Sequence, residues 1–360
     1  MDFVHCLARL YNRPHMITPE KLDTILSALS PRLTGQIGAF IKNSDETRLP
    51  EAHQVVDGIA ILPVHGTLVR RGGFMAAQSG LTSYDGLRAS FIEAVSAPDV
   101  RAVLLDIDSY GGEAGGVFDL VEEWRALSRS YQKPIWAHAN EMACSAAYAI
   151  SCAAEQIWLS RTSDVGSIGV VTAHMDQSKA DAKEGLRWTY IFAGENKVDG
   201  NPHEPLSDGA RAKIQEDCDT LYHMFVDLVA KARKCSRQQI IDTRADTFLG
   251  QEALTQGLAD RLGTFDTALQ QLIETTKTQE GQNVWLTETT ASSKMMTMQS
   301  KKKKNAKTPC LMKKKTTRTT QVMKNKTTMK NATPAKAPIQ KMTKKKTRKT
   351  SRKAALARLG

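Results

Sequence analysis

The chain has 360 residues, with 50 Lys and Arg against 38 Asp and Glu and a formal charge of +12, enough for one large domain or two ordinary ones without staples. No run of about 18 apolar residues occurs, which excludes a membrane-spanning helix. Six cysteines (Cys6, Cys144, Cys152, Cys218, Cys235 and Cys310) form no CxxC pair, which speaks for reduced thiols and against a disulfide framework or a zinc site.

The first stretch, MDFVHCLARLYNRPHM, is interrupted by Asp2, Arg9, Arg13 and Pro14. It has neither the apolar core nor the cleavage site of a secretory signal, so a cytoplasmic location is expected. Residues 1–50 read as a small helical lead-in: TPEKLDTILSAL places Leu22, Ile25, Leu26 and Leu29 at helical spacing. From residue 51 to 275 strands and helices alternate. GIAILPVHGTL reads as a buried strand, YDGLRASFIEAVSA as a helix with Leu87, Phe91, Ile92 and Val95 on one face, and VRAVLLDIDS as a second buried strand broken by Gly111 and Gly112. VFDLVEEWRALSRS is the next helix, PIWAHAN a third strand, CSAAYAISCAA a helix, and QIWLS and IGVVTAHM two short strands. RAKIQEDCDTLYHMFVDLVAKARK is a long amphipathic helix, and GQEALTQGLADRLGTFDTALQQLIE closes the domain. This order predicts an α/β fold, a parallel-rich sheet with helices packed on it.

Three stretches carry candidate chemistry. In IDSYGGEAGG the Gly111–Gly112 pair follows a buried strand, where backbone amides can point at a developing oxyanion; an ordinary strand-to-helix turn has the same look. In ANEMACSAAYAIS, Ser145 sits after a strand at the mouth of a small-residue helix, whose N-terminus favours developing negative charge; a helix-capping serine occupies the same position. Cys144 is a rival nucleophile, but no suitably spaced His accompanies it, and a buried structural cysteine is the commoner case. In AGENKVDGNPHEPLSDGARAKI, Lys197 can serve as a base if burial depresses its pKa; a solvated loop lysine is the plainer reading. No metal or cofactor is expected.

Taken together, DSYGG, MACSAAYAIS, DVGSIGV and AGENKVDG resemble, in order and spacing, the signal-peptide-peptidase-A family of serine peptidases, over about residues 57–275. LARLYNRPHMITPEKLDTIL resembles more narrowly the phage and prophage head-maturation branch. The resemblance implies a ClpP/crotonase-like fold and a Ser/Lys dyad. By position, Ser145 matches the nucleophile, Lys197 the base, and Ser167 a serine that hydrogen-bonds that lysine. Gly112, with Gly111, and the amide of Ala146 match the oxyanion donors. Tyr110 stands where the family usually has Pro, and Ala146–Ala147 where it often has Gly-Gly; both keep the needed amides. His138 and His174 are read as structural, since the dyad needs no imidazole. The resemblance further implies a protein or peptide substrate such as a capsid, portal or scaffold protein, and self-assembly into a homo-oligomer. The rival functions are a cellular signal-peptide-degrading peptidase, a crotonase-type enzyme on the same fold, and a non-catalytic capsid-assembly or nucleic-acid-binding protein.

Residues 276–360 read as low-complexity Lys/Thr/Met sequence, expected to be disordered when alone. Residues 289–360 hold 23 Lys and Arg and no Asp or Glu, leaving 27 basic against 38 acidic residues before them. The +12 therefore hides an acidic body and a basic tail. That tail can bind phosphates by counterion release, but it lacks interleaved aromatics and any recognition motif. Of the 67 residues from 294 to 360, 42 are Lys, Arg, Thr or Met, the four types written by codons of the form A-any-G. An acidic tract of G-A-any codons read one base late gives that composition, so the tail reads equally as a shifted-frame Asp/Glu-rich segment and as a selected basic arm.

Overall fold

The computed structural model describes residues 9–33, 53–72 and 80–278; the basic tail, Cys6, Cys310 and the side chain of Leu29 lie outside them. In chain order the elements are β1 (His15–Ile17), α1 (Pro19–Leu33), β2 (Gln54–Val56), β3 (Ile59–Val69), β4 (Leu81–Ser83), α2 (Tyr84–Ser96), β5 (Ala102–Glu113), α3 (Val117–Tyr131), β6 (Ile135–Cys144) and α4 (Ala146–Ser151). They continue as β7 (Gln156–Leu159), β8 (Asp164–Gly166), α5 (Ser178–Lys183), α6 (Asp208–Arg233), α7 (Arg237–Ile241), β9 (Thr247–Leu249), α8 (Gln251–Thr255) and β10 (Arg261–Leu262), and end in a helix, α9, over 265–278.

The sheet runs β10-β7-β6-β5-β3-β2. Its central pairings, β3 with β5, β5 with β6 and β6 with β7, are all parallel, while β2 and β1 join antiparallel at their own neighbours. This is the mostly parallel sheet with flanking helices that the alternating pattern predicts. The central strands read as continuous apolar runs because both their faces are covered. On one face α2 and α3 seal the main core, where Phe91 stacks on Trp124 at 4.6 Å between ring centres. The buried positions of α3, Val117, Leu120, Val121 and Trp124, fall on one helical stripe. On the other face Ala268, Leu269, Leu272 and Ile273 of α9 cover Ile59, Leu104, Trp136 and Trp158. Arg233 at the end of α6 grips both oxygens of Asp260 at 2.8 and 2.9 Å. Asp260 also accepts from the Ile157 amide at 2.7 Å, tying helix to sheet.

Three elements differ from the sequence reading. The second strand is not broken at the Gly pair: β5 runs on to Glu113, because β3 continues to flank it, with Thr67 opposite Gly111 and Leu68 opposite Gly112. The lead-in is not wholly helical, since His15–Ile17 pairs with Gly111–Glu113 as β1. IGVVTAHM forms isolated bridges rather than a strand, Val171 opposite His15 and Ala173 opposite Tyr11.

The topology opens a slot beside β5. β6 pairs with it as far as Ser109 opposite Ala143, then leaves the sheet at Cys144 to begin α4. β1 takes the vacated side of β5 at residues 111–113, with segment 171–173 on its own other side.

Candidate active site

Ser145 stands where β6 turns into α4. Its φ of 54° and ψ of −115° are unusual for a residue with a side chain, a conformation that costs about 1–3 kcal/mol and survives only where its surroundings over-determine it. The surroundings do so: its amide donates to the Gly166 carbonyl at 2.8 Å and its carbonyl accepts from Ala149 at 3.0 Å. The residue is fully buried, yet its hydroxyl has no hydrogen-bond partner among the described residues. A buried hydroxyl left so costs about 1–3 kcal/mol. Strain and an unmatched polar group at one residue mark a side chain positioned for something other than stability.

The Gly pair lies against this turn. Gly111 has a φ of 96°, and a Cβ built on it would stand 3.0 Å from the Ala146 nitrogen, 3.0 Å from the Cys144 carbonyl and 2.2 Å from the Met16 carbonyl. A Cβ on Gly112 would stand 1.8 Å from the Leu68 carbonyl. Both positions therefore demand glycine for close backbone approach. The Gly111 amide is already engaged, donating to the Ser109 hydroxyl at 3.1 Å, while that hydroxyl donates to the Gly66 carbonyl at 2.6 Å. Gly112 pairs with Met16 of β1 across the slot. Ser109, which the sequence reading did not single out, is fully buried and holds the Gly111 amide in place.

Ser167 is buried, with a φ of 50°, and follows Gly166, the acceptor for the Ser145 amide. Its own amide donates to Asp246 at 2.8 Å. Lys197 is placed differently. It is exposed on the turn at 194–200, its amide donating to the Gly194 carbonyl at 3.0 Å, and its side chain makes no hydrogen bond or ion pair among the described residues. The fold thus gathers Ser145, Ala146, Gly111, Gly112 and Ser167 at one place and leaves Lys197 at the surface.

The rival groups have other partners. The Cys144 thiol points to the Asp164 carbonyl at 3.6 Å, and burial, helped by Asp164, pushes its pKa up to about 12, so it stays protonated and weakly nucleophilic. His138 meets the Gly263 carbonyl at 3.0 Å and the edge of Phe265. His174 meets Asn12 at 2.9 Å. Among the described residues no His/Cys/Asp/Glu cluster could hold a metal ion, and no helix is long and apolar enough to cross a membrane.

A strained serine at a strand-to-helix turn, flanked by a glycine strand and a free helix-start amide, is a site suited to acyl chemistry. Residues 128–279 match peptidase family S49. It is 36% identical over 281 residues to the "Capsid assembly protease C" of Escherichia phage lambda, covering 72% of this chain and 62% of the relative. It is 37% identical over 275 residues to the "Head-tail preconnector protein GP5" of Enterobacteria phage P21, covering 72% and 54%. The chain therefore spans between half and two thirds of these relatives' length. Among solved structures, a ClpP1 mutant from Listeria monocytogenes aligns with 57% of this chain and 92% of its own at 12% identity and a TM-score of 0.34.

Proposed function

We propose that the chain is a serine endopeptidase acting on a protein of phage capsid assembly, with Ser145 as nucleophile and Lys197 as base. The observation that carries this reading is Ser145 itself: strained, buried, its hydroxyl unmatched, and adjacent to the Ala146 amide. In the reaction Lys197 takes the hydroxyl proton as Ser145 Oγ attacks the peptide carbonyl. The amides of Gly112 and Ala146 receive the oxyanion. Lys197 then protonates the leaving amine, and water hydrolyses the ester, restoring the serine. Ser167 orients the lysine. Because Lys197 is exposed in the single chain, the dyad is completed by movement of its turn or by the same turn of a second copy. The link to capsid assembly is carried over from the name of the phage lambda relative, and a scaffold substrate from the family resemblance of the sequence. The test is labelling by a fluorophosphonate, with mass spectrometry of a co-expressed capsid or scaffold protein. Labelling and cleavage that both vanish in Ser145→Ala are expected; cleavage that persists in a pure Ser145→Ala sample overturns the reading.

A further inference from the structure

The slot beside β5 is already filled by the chain's own residues. β1 lies antiparallel to Gly111–Glu113, with Met16 opposite Gly112. On its other edge His15 exchanges both backbone hydrogen bonds with Val171, at 2.7 and 2.9 Å, and the Asn12 amide reaches Ala173 at 2.9 Å. An extended peptide held by main-chain bonds between two strand edges is how sheets take up peptides.

The register places Met16 at the site. Thr18 donates to the Tyr110 carbonyl at 3.1 Å. Hydrogen-bonded pairs recur at every second residue of an antiparallel ladder, so the Met16–Gly112 pair is of the same kind and the Gly112 amide faces the Met16 carbonyl. That carbonyl oxygen and the Ala146 nitrogen lie 2.2 and 3.0 Å from one point, the place of a Gly111 Cβ. The Met16 carbonyl thus lies opposite Gly112 and near the Ala146 nitrogen, the two amides assigned to the oxyanion. Its side chain is fully buried in the main core.

The stretch before β1 is latched to the body by three residues. Arg9 forms a two-pronged pair with Glu113, 2.6 Å on each arm, of the geometry that makes Arg–carboxylate contacts strong. Thr172 donates to the Arg13 carbonyl at 2.9 Å. Asn12 donates to the Gly200 carbonyl at 2.7 Å and meets His174 through its other side-chain atom. The Gly200 contact ties the segment to the turn that carries Lys197.

We propose that His15–Ile17, held in place by the Arg9–Pro14 stretch, is an internal pseudosubstrate: it lies along Gly111–Glu113 in the groove that an extended peptide must enter, and entry requires it to leave. The groove then takes an extended peptide with an unbranched apolar residue where Met16 stands. The proposal rests on the reading of Ser145 as a peptidase nucleophile, and the experiment separates the two. A fluorescein-labelled peptide RLYNRPHMIT is titrated by anisotropy against the full chain bearing Ser145→Ala, with and without Arg9→Ala and Asn12→Ala. Competition by a tethered segment lowers apparent affinity by the fraction of open grooves, so unlatching should tighten binding at least about tenfold. Equal binding by the two chains, both unfolding cooperatively, overturns the proposal. Should the unlatched chain fail to fold, hydrogen exchange on the Ser145→Ala chain serves instead. Saturating unlabelled peptide should speed exchange at residues 11–18 and leave 111–113 protected; unchanged exchange at 11–18 overturns the proposal. Peptide exchange without hydrolysis by the Ser145-intact chain refutes the peptidase reading alone, and hydrolysis without displacement of 11–18 refutes the pseudosubstrate alone.

Discussion

Met16 and Gly111 approach so closely that no methyl group fits between them: the Met16 carbonyl oxygen lies 2.2 Å from the place a Gly111 Cβ would take. Gly111 also holds a φ of 96°, so Gly111→Ala adds a clash to a strained backbone. We expect a loss of about 2 kcal/mol or more, together with faster hydrogen exchange at residues 15–17 where the clash falls. A urea midpoint unchanged from the wild type would show that the slot has room to spare.

Ser145→Ala removes the unmatched hydroxyl and nothing else. Activity on a capsid or scaffold substrate should fall on the order of 10⁴-fold. Stability should hold or rise by about 1 kcal/mol, since a buried polar group without a partner is lost. Ser145→Gly should be more stable still, because glycine accepts the positive φ freely. Calorimetric midpoints check the order; a serine variant clearly less stable than wild type would mean that the hydroxyl has a stabilising role.

Lys197→Met should be as inactive as Ser145→Ala, as members of one unit are, while leaving the unfolding midpoint unchanged because the exposed side chain has no partner to lose among the described residues. Mixing the two inactive variants tells how the dyad forms. Recovery of activity in proportion to mixed assembly means that the turn serves a second copy's serine; no recovery, with mixed oligomers shown to exist, means that it serves its own.

Acid should weaken the fold through two histidines. Burial lowers the pKa of His15 and of His138 from the usual 6.5, outweighing the upward pull of the Leu10 carbonyl and Glu113 on the first and of the Gly263 carbonyl and Asp106 on the second. The folded chain thus keeps both neutral while the unfolded chain protonates them. Their contribution is complete above about pH 6.5 and is lost as pH falls through the lowered folded values. Urea midpoints from pH 8 to 5 should decline, and less steeply in His15→Gln with His138→Gln. Parallel slopes would assign the decline to other groups.

The coding DNA decides the status of residues 294–360. A neighbouring frame that reads as a continuous Asp/Glu-rich segment would make the basic composition a product of the frame. Frames full of stops, or without an acidic run, would leave a true polybasic arm, whose binding to nucleic acid should then weaken steeply with salt.

Much of this site was legible because its parts are local. The apolar runs around Leu104 and Ala137 announce central strands, Gly111–Gly112 and the small residues after Ser145 announce close backbone approach, and each is read within a dozen residues. What was hidden is non-local. Nothing near His15–Ile17 says strand, since Pro14 precedes it and only three residues pair; its partners are about a hundred residues away in the chain. The Gly pair looked like a breaker because the continuing support of Thr67 and Leu68 is invisible along the chain. The exposure of Lys197 likewise depends on how 194–200 folds back on Asn12, a contact 188 positions apart.

The ladder between β1 and β5 also makes the segment a ruler. Asn12 is fixed at Gly200 and Met16 stands four residues on, so the number of residues between the anchor and the carbonyl decides which peptide bond meets Gly112. One residue inserted between them would bring a different carbonyl to the amides and turn the outward side chains inward. Selection at this groove would then act on spacing as strictly as on side-chain type, and two peptides of one composition could differ wholly in fate by a single step in length.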